Sequence, residues 1–355
     1  MVDALGKSLR SLPGPVLVTG HTGFKGTWMT LLLHQLGVRV IGYSLKAEKE
    51  SLYERASLKG FIPEKFADIR NYKKLKKFVE KHKPSVIFHM AAQPLVLESY
   101  KKPLETFDVN VLGTANLLDI AFKLPEIKLV VVVTTDKVYR NDESGKPFTE
   151  NDALEGKDPY SASKVGTEAA VKAWQQISKT SGGPKVVCVR AGNVIGGGDY
   201  AKNRLLPDVI RSFQTGEVLI VRNPNSIRPW QHILDVLTGY LKTANALLEG
   251  KDISNINFGP TEKSINVEEV LKIAKNSLKF EYLIEESNNS AHRFESSNLE
   301  LNSNLAKTIL GWHATMSQPL AIEETMKWWG DVLSFKRGAK EACIESIQKL
   351  LSIAE

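Results

Sequence analysis

Two side chains that could share one proton-transfer reaction, Tyr160 and Lys164, lie four residues apart in the stretch Tyr-Ser-Ala-Ser-Lys. Residues at this spacing face the same side of a helix. A phenol is a weak base at its ordinary pKa of about 10, and an ammonium group one turn away stabilises the phenolate and lowers that pKa. A hydroxyl at a neighbouring strand end, for which Thr135 is the candidate, can orient the phenol and a substrate alcohol. The trio predicts removal of a proton from a hydroxyl, such as a sugar hydroxyl, while a hydride leaves its carbon for a nicotinamide.

A glycine-rich loop near the start of the chain could hold that nicotinamide cofactor. Gly20, Gly23 and Gly26 follow the apolar run at 16–18 and precede a helical pattern over 27–36. Glycines here allow a sharp turn, a close approach of backbone N–H groups to a pyrophosphate, and tight packing of the helix on the strand. The positive end of the helix then faces two phosphates. An ordinary strand–turn–helix is the alternative, but the position between an apolar strand and a helix favours cofactor binding.

The elements that must position these groups alternate between strand and helix. Apolar runs that predict strands lie at 38–43, 86–89, 129–133 and 185–190, with a short third segment closed by Asp68 and Ile69. Helical patterns run over about 103–122 and from about Tyr160 onward. The alternation predicts an α/β fold with a doubly wound parallel Rossmann sheet. A shift to Gly, Asn and Pro beyond Ala191 indicates a smaller C-terminal lobe.

Composition narrows the class of protein. The chain has 355 residues, 42% of them hydrophobic, and a formal net charge of +7, which suits an anionic small molecule. The lysine cluster at 73–83 reads as a solvated helix face, so we expect no nucleic-acid partner. Two cysteines and seven scattered histidines predict neither a disulfide framework nor a metal site. No apolar stretch reaches 18 residues and no signal peptide is evident, so we expect a cytoplasmic protein without a membrane partner.

Several motifs together resemble the extended short-chain dehydrogenase/reductase superfamily, and within it the CDP-glucose 4,6-dehydratase family. The wider resemblance rests on the glycine loop and the Thr–Tyr–Lys trio. The narrower one rests on T-G-H-T-G-F-K-G-T-W (19–28), F-H-M-A-A-Q-P-L-V (88–96), T-D-K (135–137), D-P-Y-S-A-S-K (158–164), V-R-A-G-N-V-I-G-G-G-D (189–199), R-N-P-N-S-I-R-P-W-Q-H (222–232) and L-G-W (310–312). These matches span residues 16 to about 330.

The resemblance implies a reaction and a role for each residue. Tyr160 would remove the proton of the 4-hydroxyl while the C4 hydride passes to NAD, with Thr135 and Lys164 assisting. Asp136 would protonate the leaving 6-hydroxyl and Lys137, transiently neutral, would accept the C5 proton. The hydride would then return to C6. A solvated lysine at the strand end is the alternative for Lys137.

The resemblance also assigns binding residues and domains. Arginine suits a diphosphate because its planar fork donates two hydrogen bonds at once, and the alternative for Arg228 is a surface arginine stacked on Trp230. Expected cofactor ligands are Gly20, Thr22, Gly23, Phe24, Lys25, Gly26, Asp68, Ile69, Ala91, Ala92, Gln93, Asn110, Tyr160 and Lys164. Expected nucleotide-sugar ligands are Gln93, Asn193, Arg204, Leu205, Arg228 and Trp230. Expected domains are a leader (1–15), an NAD-binding Rossmann domain (16–190, with returning segments from the later chain), a mainly nucleotide-sugar-binding lobe (191–335) and a C-terminal helical tail (336–355).

Two questions stay open at the level of sequence, the cofactor and the exact function. The second strand ends in Ser44, Leu45 and Lys46 without the carboxylate that often binds the adenosine ribose, so NADP is not excluded and Lys46 or Arg55 could accept its 2′-phosphate. Alternative functions are a related NAD(P)-dependent epimerase or dehydratase for another nucleotide sugar, and a non-catalytic NAD-binding regulatory protein. The resemblance further implies a homodimer through a four-helix bundle, formed by the helices near 103–122 and 160–179.

Overall fold

The computed structural model describes residues 2–285 and 298–353. Its strands are β1 (Val16–Thr19), β2 (Val40–Ser44), β3 (Glu64–Phe66), β4 (Val86–His89), β5 (Leu129–Val133), β6 (Lys185–Ala191), β7 (Asn193–Ile195), β8 (Leu219–Val221), β9 (Ile227–Arg228), β10 (Trp230–His232), β11 (Asn255–Phe258), β12 (Ile265–Asn266) and β13 (Tyr282–Ile284). Its helices are α1 (Val2–Arg10), α2 (Phe24–Gln35), α3 (Leu52–Arg55), α4 (Tyr72–His82), α5 (Val96–Lys101), α6 (Pro103–Phe107), α7 (Gly113–Phe122), α8 (Pro159–Ser181), α9 (Leu205–Thr215), α10 (Ile233–Leu248), α11 (Val267–Ser277), α12 (Asn304–Leu310), α13 (Gln318–Leu333) and α14 (Ala339–Ile353).

Seven strands form one parallel sheet in the order β11-β6-β5-β4-β1-β2-β3. The order reverses between β1 and β4, which is where ligands bind in open α/β sheets, beyond the carboxyl ends of the strands. The doubly wound Rossmann fold predicted from the alternation is confirmed. All five residues of β5 are buried, as expected of a strand covered by helices on both faces.

Helices cover both faces because successive side chains of a strand point to opposite sides. Val16 and Val18 of β1 join one core with Trp28 of α2 and Val236 of α10. Leu17, between them, joins the core of the other face with Leu117 of α7. The β-branched residues of the strands fill both layers, and the glycine loop and the trio are thereby held at one edge of a rigid sheet.

The helix predicted over 103–122 is interrupted. A π-helical turn, Asp108–Leu112, separates α6 from α7. The carbonyl oxygen of Asn110 in this turn accepts hydrogen bonds from the hydroxyls of Thr114 (2.6 Å) and Thr167 (2.8 Å). The second hydroxyl belongs to α8, so the widened turn fastens this helix to the one that carries Tyr160. π-turns of this kind often mark functional sites.

The later chain builds a second layer and also returns to the sheet. Strand β11 completes the edge of the main sheet, whereas β7 with β10, β9 with β12 and β8 with β13 form three small two-stranded sheets. Residues 1–15, which the sequence sets apart as a leader, include α1, and its Leu5 and Leu9 are buried in the larger core. Within residues 2–285 and 298–353, none of the helices is long and apolar enough to cross a membrane.

Candidate active site

The glycine loop connects β1 to α2 with geometry that only glycine tolerates at two points. Gly20 has φ +72°, and a Cβ there would lie 2.8 Å from the backbone nitrogen of Ala91. A Cβ on Gly26 would lie 2.1 Å from the carbonyl oxygen of Gly20. Both distances are too short for real atoms, so the turn, the strand end and the helix pack here without side chains.

The first turn of α2 is arranged to receive an anion. Gly23 is its N-cap, no side chain caps the helix, and its first turn holds no acidic residue. The leading N–H groups, those of Phe24, Lys25 and Gly26 included, thus have no intrahelical acceptor. Uncapped N–H groups and the positive helix end together favour a phosphate group.

Helix α8 begins with a cap that places Tyr160. The Asp158 side chain accepts hydrogen bonds from the backbone N–H groups of Tyr160 (2.9 Å) and Ser161 (3.0 Å), and the Ser161 hydroxyl completes the capping box. Pro159 occupies the first helical position, where its missing N–H costs nothing. The Tyr160 N–H also donates to the hydroxyl of Ser99 (3.1 Å) on α5. The phenol is therefore presented from a helix start that is fixed on two sides.

Residues 135–137 follow β5 directly and lie beside Tyr160. The Thr135 hydroxyl hydrogen-bonds the Tyr160 side chain and donates to Oδ1 of Asp136 at 2.9 Å. Asp136 is 1% exposed, and within residues 2–285 and 298–353 its Oδ2 has no hydrogen-bond partner. Burial raises the pKa of Asp136, while Lys137, Thr135 and Arg228 oppose the shift. A buried carboxyl with a raised pKa and one unpartnered oxygen is suited to hold a proton that it can later donate.

The electrostatics of Tyr160 differ from the sequence expectation. Burial raises the pKa of Tyr160 to about 12, and the opposing influences are the Thr135 hydroxyl and the charge of Arg204. The lowering of this pKa by Lys164 stays a prediction. In this structure the Lys164 ammonium donates to the carbonyl oxygen of Val133 at 3.1 Å.

Two buried lysines surround the same space. Burial lowers the pKa of Lys164 to about 8. Burial also lowers the pKa of Lys25 to about 8, with the positive charges of Arg204 and Lys164 acting in the same direction and the carboxylates of Asp136 and Asp199 opposing. The Lys25 ammonium, in the first turn of α2, thus interacts electrostatically with Asp136 and Lys164.

Other residues expected to bind the cofactor mostly serve to hold the loops around it. Asn110 accepts from the Gln93 N–H (2.8 Å) and donates to the Gln93 carbonyl (3.1 Å) and to the Ser163 hydroxyl (2.8 Å). The Gln93 amide group donates to the Thr106 hydroxyl (2.9 Å), so its side chain is engaged with α6. Asn110 thereby ties the end of β4 to the helix of Tyr160 and Lys164.

Residues expected near the adenosine of the cofactor are likewise engaged with other groups of the protein. Asp68 forms hydrogen bonds with Arg70, which lower the pKa of its carboxyl, and Ile69 is buried in the core. The Thr22 and Ser44 hydroxyls are 2.7 Å apart at the end of β2. Arg55, one of two suggested ligands for a 2′-phosphate, pairs with Glu50 and lies over the rings of Tyr200 and Trp329. In this structure the guanidinium is therefore engaged by other groups of the chain. The remaining loop residues, Ala91 and Ala92, follow β4 and are half-buried.

The expected nucleotide-sugar residues fall into two groups. Arg204 at the start of α9 is half-buried and pairs with Asp199 at 2.9 Å, with Leu205 beside it. Arg228 is only 5% exposed and its charge acts on Asp136, so it is not the surface arginine of the alternative. Asn193 and Trp230 are paired in the β7–β10 ladder, and the Trp230 ring lies in the larger core. The arginines face the site, whereas Trp230 supports it from behind.

Sequence reasoning missed two buried networks. His89, with a pKa lowered to about 3 by burial, links Thr19 (2.7 Å) to Thr114 (2.9 Å). Glu168 and Arg190 form a buried ion pair behind the trio. The spacing of Glu168 four residues after Lys164 is a signal that could have pointed to the second. Within the part of the chain that the structure describes, His, Cys, Asp and Glu form no group of three or more that could hold a metal ion.

Comparisons with known proteins agree with this geometry. The model of the NAD dependent epimerase/dehydratase family matches residues 16–259. A CDP-glucose 4,6-dehydratase of Salmonella typhimurium is 40% identical over 324 residues, which are 88% of this chain and 89% of that protein. A dTDP-glucose 4,6-dehydratase of Haemophilus influenzae is 26% identical over 341 residues, 88% of this chain and 97% of that protein. A solved dTDP-glucose 4,6-dehydratase from Streptomyces venezuelae with NAD bound has a TM-score of 0.77 at 23% identity, covering 90% of this chain and 98% of that one.

The structural likeness at this identity shows the fold, and the sequence matches add the family. The match to the family model covers most of the chain, and it includes the glycine loop and the helix of Tyr160 and Lys164. The chain belongs to the NAD dependent epimerase/dehydratase family.

Proposed function

We propose that the protein is a nucleotide-sugar 4,6-dehydratase, a lyase that converts CDP-glucose to CDP-4-keto-6-deoxyglucose. The observation that carries the proposal is Asp136, a buried carboxyl whose Oδ2 has no partner among the described residues and which hydrogen-bonds Thr135 next to Tyr160. An epimerase expels no hydroxyl group and needs no such acid. The 40% identity with a CDP-glucose 4,6-dehydratase supports the choice of cytidine nucleotide and glucose.

The glycine loop fits NAD as the resident cofactor. The family is NAD dependent, and solved relatives such as the Thermus thermophilus UDP-glucose 4-epimerase contain NAD. The uncapped first turn of α2 would hold the pyrophosphate, and Thr22 and Ser44 lie at the strand end where a ribose is bound in this fold. When bound, NAD supplies the acceptor and later the donor of the hydride.

Tyr160 takes the proton from the 4-hydroxyl. Its phenol needs cationic help because burial keeps its pKa near 12. Arg204 supplies part of that help, and Lys164 adds a second cation from the same face of α8. The Thr135 hydroxyl donates to Asp136 in this structure, and it turns toward the phenolate when Tyr160 ionises. Oxidation at C4 then acidifies the proton on C5.

Asp136 and Lys137 carry out the elimination that follows. Lys137 is half-buried and follows Asp136 in a single 3₁₀ turn, so the two side chains leave the strand end side by side. Lys137 accepts the C5 proton and Asp136 donates its own to the departing 6-hydroxyl, which leaves as water. The raised pKa of Asp136 keeps the proton available for this step.

Arg204 and Arg228 bind the diphosphate. Each is a permanent cation, and the Asp199 carboxylate orients Arg204 at 2.9 Å. Asn193 and Leu205 border the same opening at the starts of β7 and α9. The described residues of 191–335 form most of the substrate lobe in this proposal, with β11 and α10 returned to the Rossmann domain.

A panel of substrates tests the proposal. Purified protein is incubated with CDP-, dTDP-, UDP- and GDP-glucose, and 4-keto-6-deoxy products are followed by their ultraviolet absorbance in alkali. We expect CDP-glucose to give product at a rate at least about tenfold above those of the other three substrates. All four carry the same sugar, so a difference in rate reports recognition of the base. Conversion of UDP-glucose to UDP-galactose without any keto product would contradict the dehydratase and support an epimerase.

We further propose a homodimer that pairs α6–α7 and α8 with their mates. These helices leave large apolar side chains in solvent, with Leu104 83% exposed and Leu112 57% exposed, and Ile177 lies on the same helix as Val165, Ala169 and Trp174. Clustered exposed apolar groups mark interaction surfaces. The mass in solution at micromolar concentration should be that of a dimer, and Leu104→Glu with Leu112→Glu should yield a monomer. The control is Phe335→Glu, which is 94% exposed elsewhere; a monomeric parent protein would contradict the proposal.

The compartment that we propose is the cytoplasm. Cys188 and Cys343 are both buried and unbridged, as in proteins of a reducing compartment.

A further inference from the structure

A buried ion pair lies directly behind the proton-transfer residues. Glu168 sits on α8 one turn after Lys164 and two turns after Tyr160, and Arg190 lies on the neighbouring strand β6. Their side chains are 6% and 3% exposed. The Arg190 Nε donates to Glu168 Oε1 at 2.9 Å, and its Nη2 donates to Oε2, so the contact is bidentate. A fork-to-fork contact of this kind fixes both side chains in orientation.

The pair also holds the end of β5. The hydroxyl of Thr134, the residue before Thr135, donates to Glu168 Oε1 at 2.7 Å. On the other side the Arg190 Nη1 donates to the Tyr139 hydroxyl at 2.6 Å. The strand end that carries Thr135 and the helix that carries Lys164 are therefore joined through one carboxylate.

Glu168 also acts on Lys164 through its negative charge, which raises the pKa of Lys164. The other groups that act electrostatically with Lys164 are Cys188 on β6, His89 on β4 and Lys25 on α2. Burial keeps the Cys188 thiol neutral by raising its pKa well above the ordinary value, and keeps His89 neutral by lowering its pKa to about 3. Cys188 and Glu168 both oppose the lowering of the Lys164 pKa, and Glu168 is the one that is held as an anion, by its pairing with Arg190.

We propose that Glu168 is a positioning residue of the dehydratase, which sets the distance between Thr135 and the Tyr160–Lys164 face and keeps Lys164 charged. The proposal rests on the proposed function for the reaction that it serves. Glu168 reaches no substrate or cofactor atom itself, because the carboxylate lies behind the strand end and both of its oxygens are engaged. Glu168 acts on the position of Thr135 through its hydrogen bond with Thr134, and on Lys164 through its negative charge.

The test measures the titration of Lys164 directly in the full-length protein. Removing Glu168 alone would leave Arg190 buried without its partner and destabilise the fold, so the variant is Glu168→Gln with Arg190→Met, which keeps an acceptor for Thr134. Lysine is labelled with ¹³C, and the Lys164 signal is assigned with Lys164→Arg. We expect the Lys164 titration in the double variant to fall by about one pH unit, and Glu168→Asp, which retains the charge, to bring it back toward the parent value.

The matched control is Asp235→Asn. Asp235 is fully buried and hydrogen-bonds Thr315, so its loss lowers the melting temperature without reaching Lys164. An unchanged Lys164 titration in the double variant would overturn the proposal and leave Glu168 a merely structural partner of Arg190. Since the titration needs no substrate, it decides the point even if the substrate panel refutes the dehydratase.

A second readout covers a double variant that does not fold. Thr134→Val leaves the ion pair intact and removes only the link to the strand end. With an active parent enzyme, we expect kcat to fall about fivefold to tenfold with KM unchanged, the size of one lost hydrogen bond. With an inactive parent, the Lys164 titration of Glu168→Asp, which keeps the ion pair but has a side chain one methylene shorter, is compared with that of the parent protein, and a partial fall is expected. Equal values in that pair, or an unchanged kcat in Thr134→Val, would count against the proposal.

Discussion

The substitution Asp136→Asn isolates the proton that Asp136 gives to the departing hydroxyl. Asparagine keeps the shape of the side chain and an oxygen that accepts from Thr135 at 2.9 Å. The Oδ2 position lacks a partner in the parent within the described residues, so the exchange replaces one unpaired polar group by another. We expect a change in the free energy of unfolding of about 1 kcal/mol or less.

The loss of rate should be far larger than this change in stability. Removal of a positioned general acid typically costs about 10² to 10⁴ in rate, or roughly 3 to 5.5 kcal/mol of activation free energy. Asp136 is 1% exposed, so bulk water is poorly placed to replace it. We therefore expect the upper part of this range for water elimination, with C5 exchange in deuterium oxide retained.

A substrate with a better leaving group separates this role from a general defect. Fluoride departs without full protonation. With CDP-6-deoxy-6-fluoroglucose as substrate, the elimination rate of Asp136→Asn should therefore be close to that of the parent enzyme. The parent rate with CDP-glucose should fall as pH rises through the raised pKa of Asp136, because the acid form is the active one. That limb should vanish in the variant. An equal deficit with both substrates would refute the assignment of Asp136 as the acid.

Three further substitutions probe other parts of the site. Tyr160→Phe should reduce C4 oxidation by at least about 10², measured as reduction of bound cofactor in a single turnover, and oxidation at the parent rate would rule Tyr160 out as the base. Lys137→Ala should still allow C4 oxidation while C5 exchange in deuterium oxide falls by about 10²; exchange and elimination at the parent rate would make Lys137 a solvated lysine. Gly26→Ala should abolish NAD binding in a calorimetric titration, because its Cβ would lie 2.1 Å from the Gly20 carbonyl. Gly330→Ala is the control, because its Cβ would lie 3.6 Å from the nearest atom. Normal NAD binding by Gly26→Ala would contradict the assignment of the glycine loop as the cofactor site.

Local pattern was sufficient for six of the seven strands of the main sheet, all but β11, and for naming the groups that we propose to act. The apolar runs at 86–89 and 129–133 coincide with β4 and β5, because a strand buried on both faces must be apolar throughout. The glycine loop and the Tyr160–Lys164 spacing are likewise local, since each depends on a single turn or a single helix face. The helix over 103–122 was only partly correct, because the π-turn at Asn110 is stabilised by Thr167 from a different helix.

Tertiary structure decided the electrostatics and the supports. The pKa of Tyr160 depends on how deeply the phenol is buried and on Arg204, which lies 44 residues further along the chain. Neither the burial nor this contact can be read from the sequence around Tyr160. The sequence allowed Arg55 to bind the 2′-phosphate of NADP, whereas the fold places its guanidinium over the rings of Tyr200 and Trp329. Glu168 and Arg190 meet only because α8 packs against β6. Residue types and short spacings thus determine which chemistry is available, whereas burial and long-range partners determine the protonation state in which each group is held, because desolvation and through-space charge act across elements and not along the chain.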